Sequence, residues 1–199
     1  MKSKLITLKL GIKKNKTDGL LICLFKASTT ALIFTLNKFA AAPVIISKQN
    51  IIKSNPKYIF INSGNANACT GKEGLTNTKR ILNLLAKRLK CNSNEIIIMS
   101  TGIIGRQLPI DDIEESIIKN TFNNYSSLKD AACSVMTTDN HPKYLSKEYK
   151  IGTRQAKKYE LAELFQLEAK LKAELAREEA SEKIANGLGN PRNLFVRFN

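Results

Sequence analysis

Apolar residues change their spacing along this chain, and the changes mark out the elements. Four short, nearly continuous apolar runs come first. They are LLICLF at 20–25, ALIFTL at 31–36, VIIS at 44–47 after Pro43, and YIFIN at 58–62 after Pro56. Each is bounded by Gly, Pro, Asn or Lys, and length and β-branching favour strands. Runs this apolar predict a sheet buried on both faces. The period then becomes helical. Ile81, Leu82, Leu85 and Leu89 share one helical face over 78–90, with Thr76, Asn77 or Thr78 as the cap and Lys87, Arg88 and Lys90 at the C-terminal end. EIIIM at 95–99 returns to a strand and runs into Ser100-Thr101-Gly102. Pro109 opens the next helix, with Asp111, Asp112, Glu114 and Glu115 in its first turns, and 127–135 reads as another helix. The sum is an α/β protein built as a layered sandwich.

Past Gly152 the character shifts. Isoleucine occurs only once more, at Ile184, while Ala and Glu become frequent. Leu164, Leu167, Leu171 and Leu175 stripe one predicted amphipathic helix over 159–185, supported by Glu168–Lys172 and Glu179–Lys183 pairs and ended by Gly187. This divides the chain into a domain at 1–152 and a helical extension at 153–199.

An apolar content of 43% is enough for a sizeable core. No apolar run approaches the roughly 20 residues of a membrane span, which predicts a cytoplasmic protein with no membrane partner. The basic start, MKSKLITLKLGIKK, lacks the apolar stretch of a secretory signal; a transit peptide stays an alternative reading. The net charge is +15, and the excess sits in the first 90 residues, where Asp18 and Glu73 are the only acids. Those lysines are scattered singly without interleaved aromatics. They read as a solvated surface rather than a nucleic-acid footprint. Cys23, Cys69, Cys91 and Cys133 have no paired metal-ligand spacing and His141 is the only histidine, so no metal is expected. The cysteines read as reduced, mostly buried thiols.

Three segments could carry chemistry. NSGNANACTG at 62–71 follows a strand, and its small residues allow close approach of backbone to a ligand or to another segment. Ser100-Thr101-Gly102-Ile103-Ile104-Gly105 closes a buried strand. A hydroxyl at Thr101 and an N–H at Gly102 could serve one developing oxyanion, or the segment is an ordinary glycine-bearing turn. In MTTDNHPK at 136–143 the hydroxyls and Lys143 could hold a carboxylate. His141 invites a general-base role, but no partner for a triad stands in recognisable spacing, and a capped turn before Pro142 is the alternative.

In this order these segments resemble the landmarks of the ornithine acetyltransferase (glutamate N-acetyltransferase) family of arginine biosynthesis. Gly11-Ile12-Lys13 with Lys16 and Asp18, Phe34-Thr35-Leu36-Asn37 and Ala41-Ala42-Pro43-Val44 belong to the same set, and the resemblance runs from about Gly11 to Lys143. It implies an αββα-type sandwich and transfer of acetyl from N-acetylornithine to glutamate, with acetyl-CoA as a further donor in some members and no cofactor. It also implies self-cleavage into α and β chains, with the new N-terminal threonine of the β chain as nucleophile and its amino group as base. Carried onto this sequence, Thr101 and Gly102 match the oxyanion-hole positions. Thr138 matches a substrate-binding threonine, with Thr137 as the adjacent possibility.

The Pro-x-Met-Ala-Thr-Met run that leads to the nucleophile in the family has no counterpart here, and Thr153 has none of its flanks. The expectation is therefore an α-chain-like part, truncated before the nucleophile, inactive alone and dependent on a β-chain-like partner. Two rival readings remain: a binding or assembly protein that keeps the fold without the chemistry, and a basic nucleic-acid-binding protein.

Overall fold

Ile6, Leu21, Phe60 and Ile98 stand side by side across four strands, and this row fixes the architecture. The computed structural model describes residues 3–25 and 30–145. Strands β1 (Lys4–Leu8) and β2 (Gly19–Cys23) form an antiparallel pair, and β2 pairs antiparallel with β3 (Tyr58–Asn65). Strand β4 (Ile96–Ile103) runs parallel to β3, giving the order β1-β2-β3-β4. A parallel neighbour needs a crossover, and helix α2 (Gly71–Leu89) supplies it.

The face carrying Ile6, Leu8, Leu21, Phe60 and Ile98 packs on Ile81, Leu82 and Leu85 of α2 and on Ile113 and Ile117 of α3 (Ile110–Lys119). All of these are nearly or fully buried. Helix α4 (Leu128–Val135) contacts β1, β2 and β3, and Ser63 on the opposite face donates its hydroxyl to the Ser134 carbonyl at 2.5 Å. That second face is only partly covered. Ile22, Ile59 and Ile61 are half-buried and Met99 is 46% exposed. The expectation is burial on both faces; the described residues bury the Phe60 face more completely than the other.

Helix α1 (Ala42–Lys53) closes the free edge of β4 with polar side chains. Ser47 Oγ donates to the Ile98 carbonyl at 2.6 Å and accepts the Ile98 N–H at 2.9 Å, while Asn50 Nδ2 donates to the Ile96 carbonyl at 2.9 Å. An unpaired strand edge is a template for aggregation, and covering it is one remedy.

The α/β class holds, with one four-stranded sheet among the described residues. Strands at 20–25, 58–62 and 95–99 and helices after Pro109 and over 127–135 are observed, with shifted ends. Several expectations are corrected. Residues 31–36 form no regular element, and Ile33 and Leu36 are 71% and 97% exposed, so this apolar run finds no strand to pair with. Residues 44–47 lie inside α1, where Pro43 sits in the first turn, the helical position that tolerates its missing N–H. Helix α2 starts at Gly71, so Thr76, Asn77 and Thr78 lie within it and Thr70 is the capping position. The basic start contains strand β1. Cys69 and Cys133 are exposed, not buried, and all four cysteines are free thiols. The boundary near Gly152 and the helix at 159–185 lie outside the described residues. Among the described residues no helix is long and apolar enough to cross a membrane.

Candidate active site

Strands β3 and β4 end together, and glycine makes that possible. Gly64 and Gly102 are register partners with φ of 101° and 133°. A Cβ on Gly102 would lie 2.3 Å from the Gly64 carbonyl carbon and 2.5 Å from the Asn65 nitrogen. No side chain fits there, and the two backbones touch. The ladder slips at this point, with Asn65 pairing to both Thr101 and Ile103. Such a bulge bends the strand and re-aims the residues beyond it. Thr101 is half-buried and Gly102 is exposed, so the turn stands at the protein surface and not in the core.

The asparagines of NSGNANACTG hold this turn from beneath. Asn62 Nδ2 donates to the Asn65 carbonyl at 2.7 Å and Asn62 Oδ1 accepts the Ser100 hydroxyl at 2.5 Å. Asn65 Nδ2 donates to the carbonyls of Arg106 and Gln107 at 3.0 and 3.1 Å, while its Oδ1 accepts the Asn67 N–H at 2.8 Å. Asn67 Nδ2 reaches Thr78 Oγ1 at 2.8 Å, and its Oδ1 accepts the Thr70 hydroxyl at 2.8 Å. All three asparagines are buried. Both ends of each amide are engaged within the protein, so the close approach expected of this segment is to the end of β4, the loop that follows it and the start of α2.

A second loop brings in residues that sequence reasoning gave no role. Asp18 is fully buried, and its carboxylate accepts the N–H groups of Leu10, Ile12 and Lys13 at 2.5, 2.7 and 2.7 Å. Its backbone carbonyl accepts the Ser63 N–H at 2.8 Å. The β1–β2 connection is thereby fixed onto β3. Lys13 is laid over Gly64, where a Cβ would come within 2.9 Å of Lys13 Cγ. The Lys13 ammonium donates to the carbonyls of Ser134 and Met136 at 3.2 and 3.0 Å. Burial lowers the pKa of Lys13 below its ordinary value; the nearby Asp18 carboxylate opposes the shift, and Lys16 adds to it.

Thr137 and Thr138 come directly after Met136 and are both exposed. Lys143 is paired to Asp139 at 3.0 Å, and that hydrogen bond holds the Asp139 carboxyl below its usual value. The ammonium expected to hold a carboxylate is therefore engaged by its own turn. His141 is exposed. The structure joins the two halves of the sequence-predicted site indirectly, through Gly102 on Gly64, Gly64 on Lys13, and Lys13 on Met136. Two surface depressions lie elsewhere, one along residues 35–52 and one around Phe39, Cys69 and Leu75; neither is lined by Thr101, Gly102, Thr137 or Thr138. Sequence reasoning noted Lys13 and Asp18 only as landmarks of the resemblance, and Ser63 and Asn65 only as part of NSGNANACTG, and gave none of the four an individual role. An aspartate a few residues beyond a glycine, able to accept turn N–H groups, was the available signal for Asp18.

These features define an α/β domain whose candidate site lies beyond the carboxyl ends of its parallel strands, where such sheets bind ligands. The ArgJ family model matches residues 4–163, and the chain belongs to the ArgJ family. It is 44% identical over 144 residues to the arginine biosynthesis bifunctional protein ArgJ 2 of Clostridium acetobutylicum, covering 71% of this chain and 36% of that protein. It is 35% identical over 138 residues to the glutamate N-acetyltransferase of Methanothermobacter thermautotrophicus, covering 68% of this chain and 34% of that protein. The chain thus spans about a third of the length of these curated relatives. The ornithine acetyltransferase of Mycobacterium tuberculosis, solved in complex with ornithine, superposes with a TM-score of 0.63 at 30% identity, over 69% of this chain and 77% of that one.

Proposed function

We propose that this chain forms the α-chain-like part of an acetyltransferase that moves acetyl from N-acetylornithine to glutamate in arginine biosynthesis. Acetyl-CoA is a second candidate donor, no cofactor takes part, and the reaction belongs in the cytoplasm. The observation that carries the reading is the Gly64–Gly102 contact, which shapes the carboxyl end of β4, where Gly102 is exposed and Thr101 half-buried.

In this reading a threonine hydroxyl from a β-chain-like partner attacks the acetyl carbonyl of N-acetylornithine. The carbonyl oxygen takes up the negative charge, and the Thr101 hydroxyl and Gly102 N–H are the donors that stabilise it. The tetrahedral intermediate collapses by breaking the C–N bond and releasing the ornithine amine, which leaves an acetyl ester on the threonine. The glutamate amine then attacks that ester and regenerates the hydroxyl. One such donor lowers the barrier by about 2.7–4 kcal/mol. Thr138, or Thr137 beside it, holds the substrate's amino-acid end.

Purified chain incubated with N-acetylornithine and glutamate should release no ornithine. Adding the nucleophile-bearing part of a family relative should restore transfer, and Thr101→Ala should then lower the rate about a hundredfold or more. Clear turnover by the chain alone would refute the need for a partner.

One observation favours a second reading, a binding or assembly protein on the same fold. Leu36, Phe39 and Ile52 are 97%, 85% and 80% exposed around the outer side of α1, and exposed apolar clusters mark protein contacts. If a Leu36→Asp, Phe39→Asp variant sediments as wild type, with the same partners, this reading fails.

A further inference from the structure

Lys13 is a cation where the surrounding surface offers two neutral oxygens. Its ammonium sits on the carbonyls of Ser134 and Met136, at the C-terminal end of α4, which is where a helix leaves its carbonyls unpaired and favours positive charge. Its stem lies against Gly64, the residue in backbone contact with Gly102. Its own N–H is fixed by the buried Asp18 carboxylate at 2.7 Å. A single side chain therefore runs from the Gly64–Gly102 turn to the residue before Thr137 and Thr138. The Ser63 hydroxyl on the Ser134 carbonyl adds a second tie to α4 but does not reach Met136.

We propose that Lys13 is a positioning residue that sets the spacing between the Gly102 turn and the Thr137–Thr138 turn. Its role rests on the reading of those two turns as halves of one acetyl-transfer site. A donor held at Thr138 by its amino-acid end presents its acetyl carbonyl to Gly102 only at one separation of the turns. Catalytic geometry of this kind is lost with displacements of about 1 Å. Burial weakens the ammonium's hold on its proton, and the nearby Asp18 carboxylate opposes that shift.

The test uses the full chain with Lys13→Met, which keeps the stem and removes the ammonium, and Lys13→Arg, which keeps the cation. Hydrogen exchange is followed at residues 136–139 and across the sheet, and N-acetylornithine is titrated by NMR. In Lys13→Met, exchange at Met136, whose N–H is bonded to the Cys133 carbonyl, and at Thr137 and Asp139 should rise about tenfold. Sheet amides should stay unchanged, and affinity for N-acetylornithine should fall by a similar factor. Lys13→Arg should recover both readouts. Exchange at 136–139 that matches wild type, or that rises together with the sheet, would overturn the proposal. If the exchange pattern is as expected but wild type binds no N-acetylornithine, the tie stands and the acetyl-transfer reading fails.

Discussion

Replacing Gly102 by alanine separates two costs that usually arrive together. The residue has φ of 133°, a region that side chains other than glycine's avoid, and holding alanine there costs about 1–3 kcal/mol. Its Cβ would also stand 2.3, 2.5 and 2.7 Å from backbone atoms of Gly64 and Asn65. Backbone has no rotamer to yield, and Asn65 is tied to Arg106, Gln107 and Asn67, so the strands must part against that network. Forcing atoms into filled space adds about 1–3 kcal/mol. The total, roughly 2–6 kcal/mol, is a large share of an ordinary domain's stability of about 5–15 kcal/mol. Gly105 is the internal control. Its φ is 78° and a Cβ there meets nothing within 4 Å, so Gly105→Ala should lose only the torsional cost, about 1–2 kcal/mol. Urea unfolding of both variants, with midpoints compared at a common slope, reads the difference directly. Equal losses in the two variants would refute the argument, because the contact with Gly64 would then carry no cost of its own.

Asp18→Ala should destabilise the chain by about 2–4 kcal/mol in the same assay, since one buried and two part-buried N–H groups lose a charged acceptor; a loss under about 1 kcal/mol would show that water replaces it. Ser47→Ala leaves the N–H and carbonyl of Ile98 unpaired and should cost about 1–3 kcal/mol, with faster amide exchange at Ile98; unchanged exchange would mean that α1 does not seal the edge. Glu95 is bonded to Lys57 and to the Asn92 N–H, and both hold its pKa below the ordinary 4.5. Its contribution to stability is therefore present above pH 4.5 and fades as pH falls through the depressed value. In Lys57→Met the Glu95 carboxyl, followed by NMR, should titrate closer to 4.5, and an unmoved titration would remove the pair as the main cause.

The sequence revealed most elements whose buried side was also their apolar side, although β1, with Ile6 and Leu8 inward, went unread in the basic start. Helix α2 shows Ile81, Leu82 and Leu85 inward, and β3 and β4 carry Phe60, Ile96 and Ile98 into the core. Helix α1 breaks that rule. Its buried residues are Ala42, Pro43, Ile46, Ser47 and Asn50, spaced as a helix requires, but two of them are polar because they close the edge of β4. Val44 and Ile45 are half-buried and Ile52 is mostly exposed, so the apolar pattern at 44–47 imitates a strand. The run at 31–36 misleads for the opposite reason: apolar content implies burial only if a surface is there to receive it.

The site divides along the same line. NSGNANACTG is the most diagnostic segment of the chain, yet its asparagines face inward. Each uses its carbonyl and its amino group, and losing either would leave a buried polar group unpaired at about 1–3 kcal/mol. A closed network of this kind fixes residue identity at several positions at once, which is why ten residues can name a family without one of those amides reaching outward. Lys13 is the converse. Among the many lysines of the first 90 residues it stands out only as one landmark of the resemblance, and nothing in its spacing gives it a role. Its importance arises only when β1 and β2 pair, Asp18 gathers the connection between them, and Gly64 leaves room for the stem. Local pattern can disclose a scaffold that bonds to itself. A residue that joins two distant turns becomes visible only with the topology.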